Sequence, residues 1–203
     1  MKTLNRNGRD WHWPDLDEKM LVCFEHVLQL PEYLKYVKKF DVCIQAGGAG
    51  GVFAEYLADH FKEVYTFEPA PHYEALKANI TKPNIHHKNV ALGSAKGFVS
   101  LVSPKDQNCG MIYTIPGNDV PCVKLDDEVD HVDFLFLDIE GDEELALRGA
   151  ARLIRECRPV IAIEDKPLNQ GRKGDPSEYL KEHHGYKIVE RIGRDNILIK
   201  YKC

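Results

Sequence analysis

Four glycines in five positions, Gly47, Gly48, Gly50 and Gly51, close an apolar run and open a helical one. No other feature of the chain constrains its fold as tightly. Before the glycines stands Asp41-Val-Cys-Ile-Gln-Ala46, a short buried-strand pattern, and after them residues 52–61 carry helical periodicity. A strand that runs through a glycine turn into a helix is the opening unit of an open α/β sheet. Glycine at this density weakens an ordinary turn. It is used where the backbone turns sharply or a ligand approaches with no Cβ in the way.

The alternation continues downstream. Glu63-Val-Tyr-Thr-Phe67 is a β-rich run, residues 71–80 form a helix with proline in its first turn, and residues 85–92 form a third strand. Residues 98–102 and 120–123 read as shorter strands, a hairpin beside the sheet. Val132-Asp-Phe-Leu-Phe-Leu137 is the most apolar segment, as expected of a strand covered on both faces. A helix over 143–157, a strand over 159–163, a polar loop over 166–175 and a helix near 177–183 follow. Two strands, 186–191 and 196–201, turn at Gly193 and close the chain. The prediction is an α/β fold with a mainly parallel sheet, helices on both faces and a C-terminal antiparallel hairpin. Residues 41–203 form one domain and residues 1–40 a helical extension packed on it. In that extension Trp11-His-Trp-Pro14 reads as irregular. Asp15 or Asp17 caps a helix through Met20, Leu21, Phe24, Val27 and Leu28, and Pro31 breaks it.

Bulk composition narrows the function classes. Lys plus Arg number 27 and Asp plus Glu 32, a net charge of −5, which lacks the electrostatic footprint of a nucleic-acid binder. No stretch approaches the ~20 apolar residues of a membrane span. The amino terminus is polar, so no secretory signal is expected and the chain is assigned to the cytoplasm. Cys23, Cys43, Cys109, Cys122, Cys157 and Cys203 are scattered without a Cys-x-x-Cys pair. They read as reduced, mostly buried thiols, and no metal ligand set is assigned.

In an open α/β sheet the chemistry sits beyond the carboxyl ends of the strands. The glycine segment does not fit a dinucleotide fingerprint. From Gly48 the third glycine position holds Phe53, and from Gly47 the second and third hold Ala49 and Val52. No Gly-Lys-Ser/Thr follows, so a P-loop is excluded as well. S-adenosylmethionine, which has no phosphate to cradle, remains compatible. The second strand ends in Phe67-Glu68-Pro69, where a carboxylate can accept from both ribose hydroxyls. Lying in an open crevice, Glu68 is expected to matter little to folding. The fourth strand ends in Leu137-Asp138-Ile-Glu140-Gly141-Asp142-Glu143-Glu144. The helix dipole alone accounts for Asp142 to Glu144, but not for Asp138 and Glu140. Glu164, ending the fifth strand, is expected alongside, and three such carboxylates could hold Mg²⁺ or Ca²⁺. Asp138 or Glu140 is the preferred general base, ahead of Glu164 or Lys166. His86, His87, His131, His183 and His184 read as surface or packing residues.

The chain resembles FkbM-type methyltransferases over residues 41–165. The resemblance is carried by Val42-Cys-Ile-Gln-Ala-Gly-Gly-Ala-Gly-Gly51, Val64-Tyr-Thr-Phe-Glu-Pro69, Asn89-Val-Ala-Leu-Gly93, Val123-Lys-Leu-Asp126, Leu137-Asp-Ile-Glu-Gly141, Leu147-Arg-Gly-Ala150 and Arg158-Pro-Val-Ile-Ala-Ile-Glu164. It implies a seven-stranded, Rossmann-like class I methyltransferase fold and S-adenosylmethionine as cofactor. It also implies methyl transfer to a hydroxyl of a sugar or small metabolite. By the same resemblance Gln45, Ala46, Gly47, Gly48, Ala49 and Gly51 lie at the methionine part and Glu68 with Pro69 at the ribose. Asn89, Val90, Ala91 and Leu92 lie near the adenine, and Asp138 beside the sulfonium. The family commonly has Asp where this chain has Gln45. The partner expected is a small-molecule or glycan acceptor, with no nucleic acid and no membrane. The alternative is a non-catalytic nucleotide-binding or interaction module that retains the fold.

Overall fold

The computed structural model describes residues 1–15, 17, 19–103, 111–164 and 173–201. Lys166, Cys109, Cys203 and most of the expected 166–175 loop lie outside the described residues. The chain opens with an antiparallel hairpin of β1 (Lys2–Arg6) and β2 (Arg9–Trp13). This corrects the reading of the extension as helical over residues 2–13 and of residues 11–13 as irregular, while the helix expected through residues 20–28 is present as short pieces. Asn7 and Gly8, with φ of 55° and 74°, make the left-handed two-residue turn that suits a hairpin. Alternation along β2 then buries Trp11 and Trp13 and exposes His12. Helical structure follows in short pieces: a 3₁₀ turn at Lys19–Val22, α1 (Cys23–His26), another 3₁₀ turn at Val27–Gln29, and α2 (Leu30–Leu34). Pro31 does not break this run. It sits in the first turn of α2, where a missing N–H costs nothing.

The expected alternation then begins with β3 (Val42–Ala46), α3 (Val52–Leu57), β4 (Glu63–Phe67), α4 (Tyr73–Asn79) and β5 (Ile85–Lys88). The strand expected over 85–92 stops there. Its last residues form β6 (Ala91–Leu92) in a separate four-stranded sheet with β7 (Gly97–Val102), β8 (Tyr113–Pro116) and β9 (Val120–Val123), in the order β6-β9-β7-β8. The main path resumes with β10 (Phe134–Leu137), and α5 (Glu143–Arg148) and α6 (Ala151–Cys157) replace the single helix expected over 143–157. It ends with β11 (Val160–Glu164), α7 (Pro176–His184), β12 (Lys187–Ile192) and β13 (Asp195–Ile199).

Seven strands form the main sheet in the order β12-β13-β11-β10-β3-β4-β5. Its five central and outer strands β11, β10, β3, β4 and β5 pair in parallel, and β13 and β12 add antiparallel as the closing hairpin. Strand β10 shows why both faces are covered. Phe134 and Phe136 point to a core layer with Trp13, Tyr33 and Phe53, while Leu135 and Leu137 point to a second layer with Leu147, Ile154 and Leu180. Cys23, Cys43 and Cys122 are buried free thiols, and Cys157 is half-buried. Among the described residues no helix is long and apolar enough to cross a membrane. The chain leaves β3 toward β4 on one side and returns to β10 on the other. A crevice therefore opens at the carboxyl ends of β3 and β10.

Candidate active site

A cavity of about 540 Å³ occupies that crevice. Its floor is the end of the sheet, where the Asp138 N–H donates to the Ala46 carbonyl (3.1 Å) and the Gly47 and Gly48 N–H groups both donate to the Phe67 carbonyl (3.1 and 3.0 Å). Gly47 has φ of 86°, and a Cβ added to it would lie 1.9 Å from the Asp138 carbonyl oxygen. The glycine is thus what lets the ends of β3 and β10 meet. Among the residues expected to bind cofactor, Ala46, Gly47, Ala49, Glu68, Pro69, Val90, Ala91, Leu92 and Asp138 line the cavity, as does the candidate base Glu140.

The remaining expected residues lie behind it. Gln45 is fully buried, with its carbonyl oxygen accepting from Thr66 Oγ1 (2.7 Å) and its amide donating to the Gly47 carbonyl (3.0 Å). Gly48 and Gly51 shape the loop, closing a turn from the Gly51 N–H to the Gly48 carbonyl (2.8 Å). Asn89 is exposed and donates to the Glu68 and Pro69 carbonyls (2.8 and 3.3 Å), which fixes the strand-end loop. Glu164 is outside the cavity lining, yet its carboxylate oxygen comes within 4.8 Å of those of Asp138 and Glu140. Arg194 of the β12–β13 turn lies 3.6 Å from Glu164 and also lines the cavity, so a fixed positive charge already faces this acidic group.

Glu68 differs from expectation. It is only 7% exposed, and its two oxygens accept from the Ala49 N–H (2.7 Å) and the Ala70 N–H (2.8 Å). The carboxylate therefore ties the glycine loop to the loop after β4, and a purely ligand-facing role is corrected. Burial pushes its carboxyl above the ordinary value, against the opposing pull of those two N–H groups and of His72.

The acidic run after β10 also does more than complement a helix dipole. Glu140 holds φ of 59° and Gly141 φ of 105°. Glu143, buried, accepts from the Ile139 and Gly141 N–H groups (3.0 and 3.3 Å), so one carboxylate pins the peptide on each side of Glu140. Asp142 is buried against Lys173 Nζ (2.6 Å) and Thr114 Oγ1 (2.5 Å), joining the small sheet to α5.

His86, His87, His131, His183 and His184 do not line the cavity. The histidines that do are His26 and His72, which the sequence did not single out. His72, just past Glu68, was accessible to the same strand-end argument. Its buried partner Asp17, 2.9 Å away, comes from the N-terminal extension, where the sequence offered it only as a helix cap. Cys23 also lines the cavity, and burial with Asp17 nearby pushes its thiol up to about 12. Leu101, Met111 and Ile112 of the small sheet region add apolar lining.

Comparison with known proteins fits this geometry. Among curated proteins none matches the chain significantly. In the solved structures, a methyltransferase FkbM from Methylobacillus flagellatus KT is similar, with a TM-score of 0.56 and 21% identity. That match covers 93% of this chain and 55% of that one, so this chain spans about half the length of that relative. A precorrin-6y C5,15-methyltransferase from Geobacter metallireducens GS-15 matches with a TM-score of 0.53 and 15% identity over 93% of both chains. The N-methyltransferase NodS from Bradyrhizobium japonicum WM9 matches with a TM-score of 0.51 and 12% identity over 90% of this chain and 96% of that one. At these identities the structures establish the Rossmann-like class I methyltransferase fold. The Methyltransferase FkbM domain model matches residues 51–188, more than half of the sequence, and the chain belongs to the FkbM methyltransferase family.

Proposed function

We propose that the protein is an S-adenosylmethionine-dependent methyltransferase acting on a hydroxyl of a sugar or small metabolite. The observation that carries the cofactor is the charge of the cavity. Glu68, Asp138 and Glu140 line it beside a glycine loop, Asp142 is paired with Lys173, and among the described lining residues Arg194 is the one Lys or Arg. A pyrophosphate would be repelled there, whereas a ligand with ammonium and sulfonium charges is attracted. The residues fit such a group. In this reading Glu68 would take the ribose hydroxyls, the backbone of Gly47 and Ala49 the amino-acid part, and Val90 to Leu92 the adenine. Gln45 is spent on Thr66 and Gly47, which leaves the ammonium to loop carbonyls and to Asp138. The bound cofactor supplies an electrophilic methyl group. The chain supplies proximity, and Asp138 or Glu140 holds the acceptor hydroxyl and takes its proton.

Calorimetry with S-adenosylmethionine and S-adenosylhomocysteine tests the reading. Binding of both, with methyl transfer to a member of a sugar and small-metabolite panel, is expected. Absence of binding at millimolar concentration overturns it. Binding with no transfer to any panel member gives the non-catalytic module for which Gln45 is the motive.

A further inference from the structure

Four glycines give the loop over residues 47–51 more backbone freedom than any other stretch of the cavity wall, so what holds it in one conformation has to lie outside it. Toward the sheet the holding groups are the Phe67 carbonyl and Glu68. On residue 50 they come from elsewhere. A Cβ added to Gly50 would lie 2.3 Å from Cζ3 of Trp13, so the loop backbone rests directly on that indole. Trp13 is fully buried and backed by Phe24, with ring centroids 5.5 Å apart. The Gly50 carbonyl accepts from Asn79 (2.8 Å), and that same amide pairs in both directions with the backbone of His12 (2.9 and 2.7 Å). Arg9 meets Glu55, in the helix that the loop opens, at 2.7 Å. The same arm then enters the cavity itself through Val22, Cys23 and His26, and its Asp17 pairs with the cavity residue His72.

We propose that the amino-terminal arm, residues 2–26, is a wall of the cofactor cavity, with Trp13 as the positioning residue that sets the glycine loop. The arm lies wholly outside the residues matched by the family domain. The inference rests on the S-adenosyl reading of the site, and the probe for both is S-adenosylhomocysteine. Gly50→Ala drives a methyl group into the indole, and Trp13→Leu withdraws the ring that the loop rests on. Each single variant should raise the dissociation constant about tenfold, the size of coupling typical of packed neighbours. Gly50→Ala/Trp13→Leu, with methyl and vacated space matched, should recover most of that loss. Because stability also couples between contacting residues, the melting temperature of each variant is read beside its affinity, and recovery of binding beyond recovery of stability is the result expected. In a Trp11→Phe background, Trp13 emission should change when the probe binds.

Circular dichroism establishes which variants are folded, and Trp13→Phe, which shortens the ring's reach, stands in should Trp13→Leu fail to fold. Failure of the wild-type chain to bind the probe removes the S-adenosyl reading and this inference together. Wild-type binding, with wild-type affinity in every folded single variant, overturns the role of Trp13 alone. Weakened singles that combine additively overturn it too.

Discussion

Gly47→Ala and Gly8→Ala form a pair in which backbone strain is shared and close approach is not. Both glycines are left-handed, with φ of 86° and 74°, so each alanine carries the ~1–2 kcal/mol that an L-residue costs there. At Gly8 nothing lies within 4 Å of the added Cβ, whereas at Gly47 the Asp138 carbonyl oxygen lies at 1.9 Å. That oxygen is backbone just past the end of β10, at a residue whose own N–H is tied to the Ala46 carbonyl, and cannot swing away like a side chain. The strand ends must part by about 1 Å or more, a distortion of the overpacking kind that costs ~1–3 kcal/mol. Gly47→Ala should therefore be less stable than Gly8→Ala by about 1–3 kcal/mol, or roughly 2–12 °C in melting temperature at this chain length. Urea unfolding of both variants reads the difference directly, provided the slopes agree. Binding of S-adenosylhomocysteine should weaken for Gly47→Ala only. Equal stability of the two variants would refute the claim that contact between β3 and β10 is what requires glycine at 47.

Glu68→Gln leaves one oxygen to face two N–H donors, so unfolding stability should fall by about 1–3 kcal/mol, and probe affinity by ~10–150-fold if ribose bonding is lost, both measurable by denaturation and calorimetry. Because burial raises the Glu68 carboxyl, the folded chain holds that proton more tightly than the unfolded one. Its contribution is then largest below the ordinary value of 4.5 and is lost as pH rises through the folded value, so the stability gap between wild type and Glu68→Gln should shrink from pH 4.5 to 7. A widening gap refutes this. Asp17→Ala leaves the buried His72 ring without its hydrogen-bond partner and should cost about 1–3 kcal/mol in urea unfolding. A loss below about 1 kcal/mol would show the pair to be dispensable. Asp138→Asn keeps the shape but not the charge, so methyl transfer should fall by a larger factor than probe affinity, as single-turnover rates and calorimetry together will show.

The strands of the main sheet were legible because double-sided burial writes them as apolar runs, and the strand ends then pointed to Glu68, Asp138 and Glu140. Glu164 beside the last two followed from the same rule and is observed. What escaped the sequence depended on contacts made far along the chain. In the hairpin of β1 and β2 only Trp11 and Trp13 are buried, so periodicity was faint, although Asn7-Gly8 is itself a hairpin signal. The break between β5 and β6 is made by Asn89, whose amide turns back to the Glu68 and Pro69 carbonyls and sends the next residues to another sheet. Nothing local in Trp13 or Arg194 marks them, and Asp17 was marked only as a helix cap, because each meets its partner only after the chain has folded back. The roles of Asp142 and Glu143 were masked by a simpler explanation, the helix dipole, which is true of acids in a first turn but incomplete for buried ones.

The strand order has a consequence for how the protein is made. Strand β3 pairs on one side with β4, which follows it closely, and on the other with β10, which the ribosome reaches only at residues 134–137. At ~5–20 residues per second, the interval from residue 46 to residue 137 is roughly 5–18 s. For that time β3, β4 and β5 can associate, but the inner edge of β3, with Cys43, Ile44 and Ala46, has no partner strand. An open, apolar edge is a template for pairing with another nascent chain. Slow decoding between β5 and β10 therefore prolongs exposure of the most aggregation-prone surface, and the glycine loop exists as synthesised chain well before Asp138, against which it is fitted, has been added.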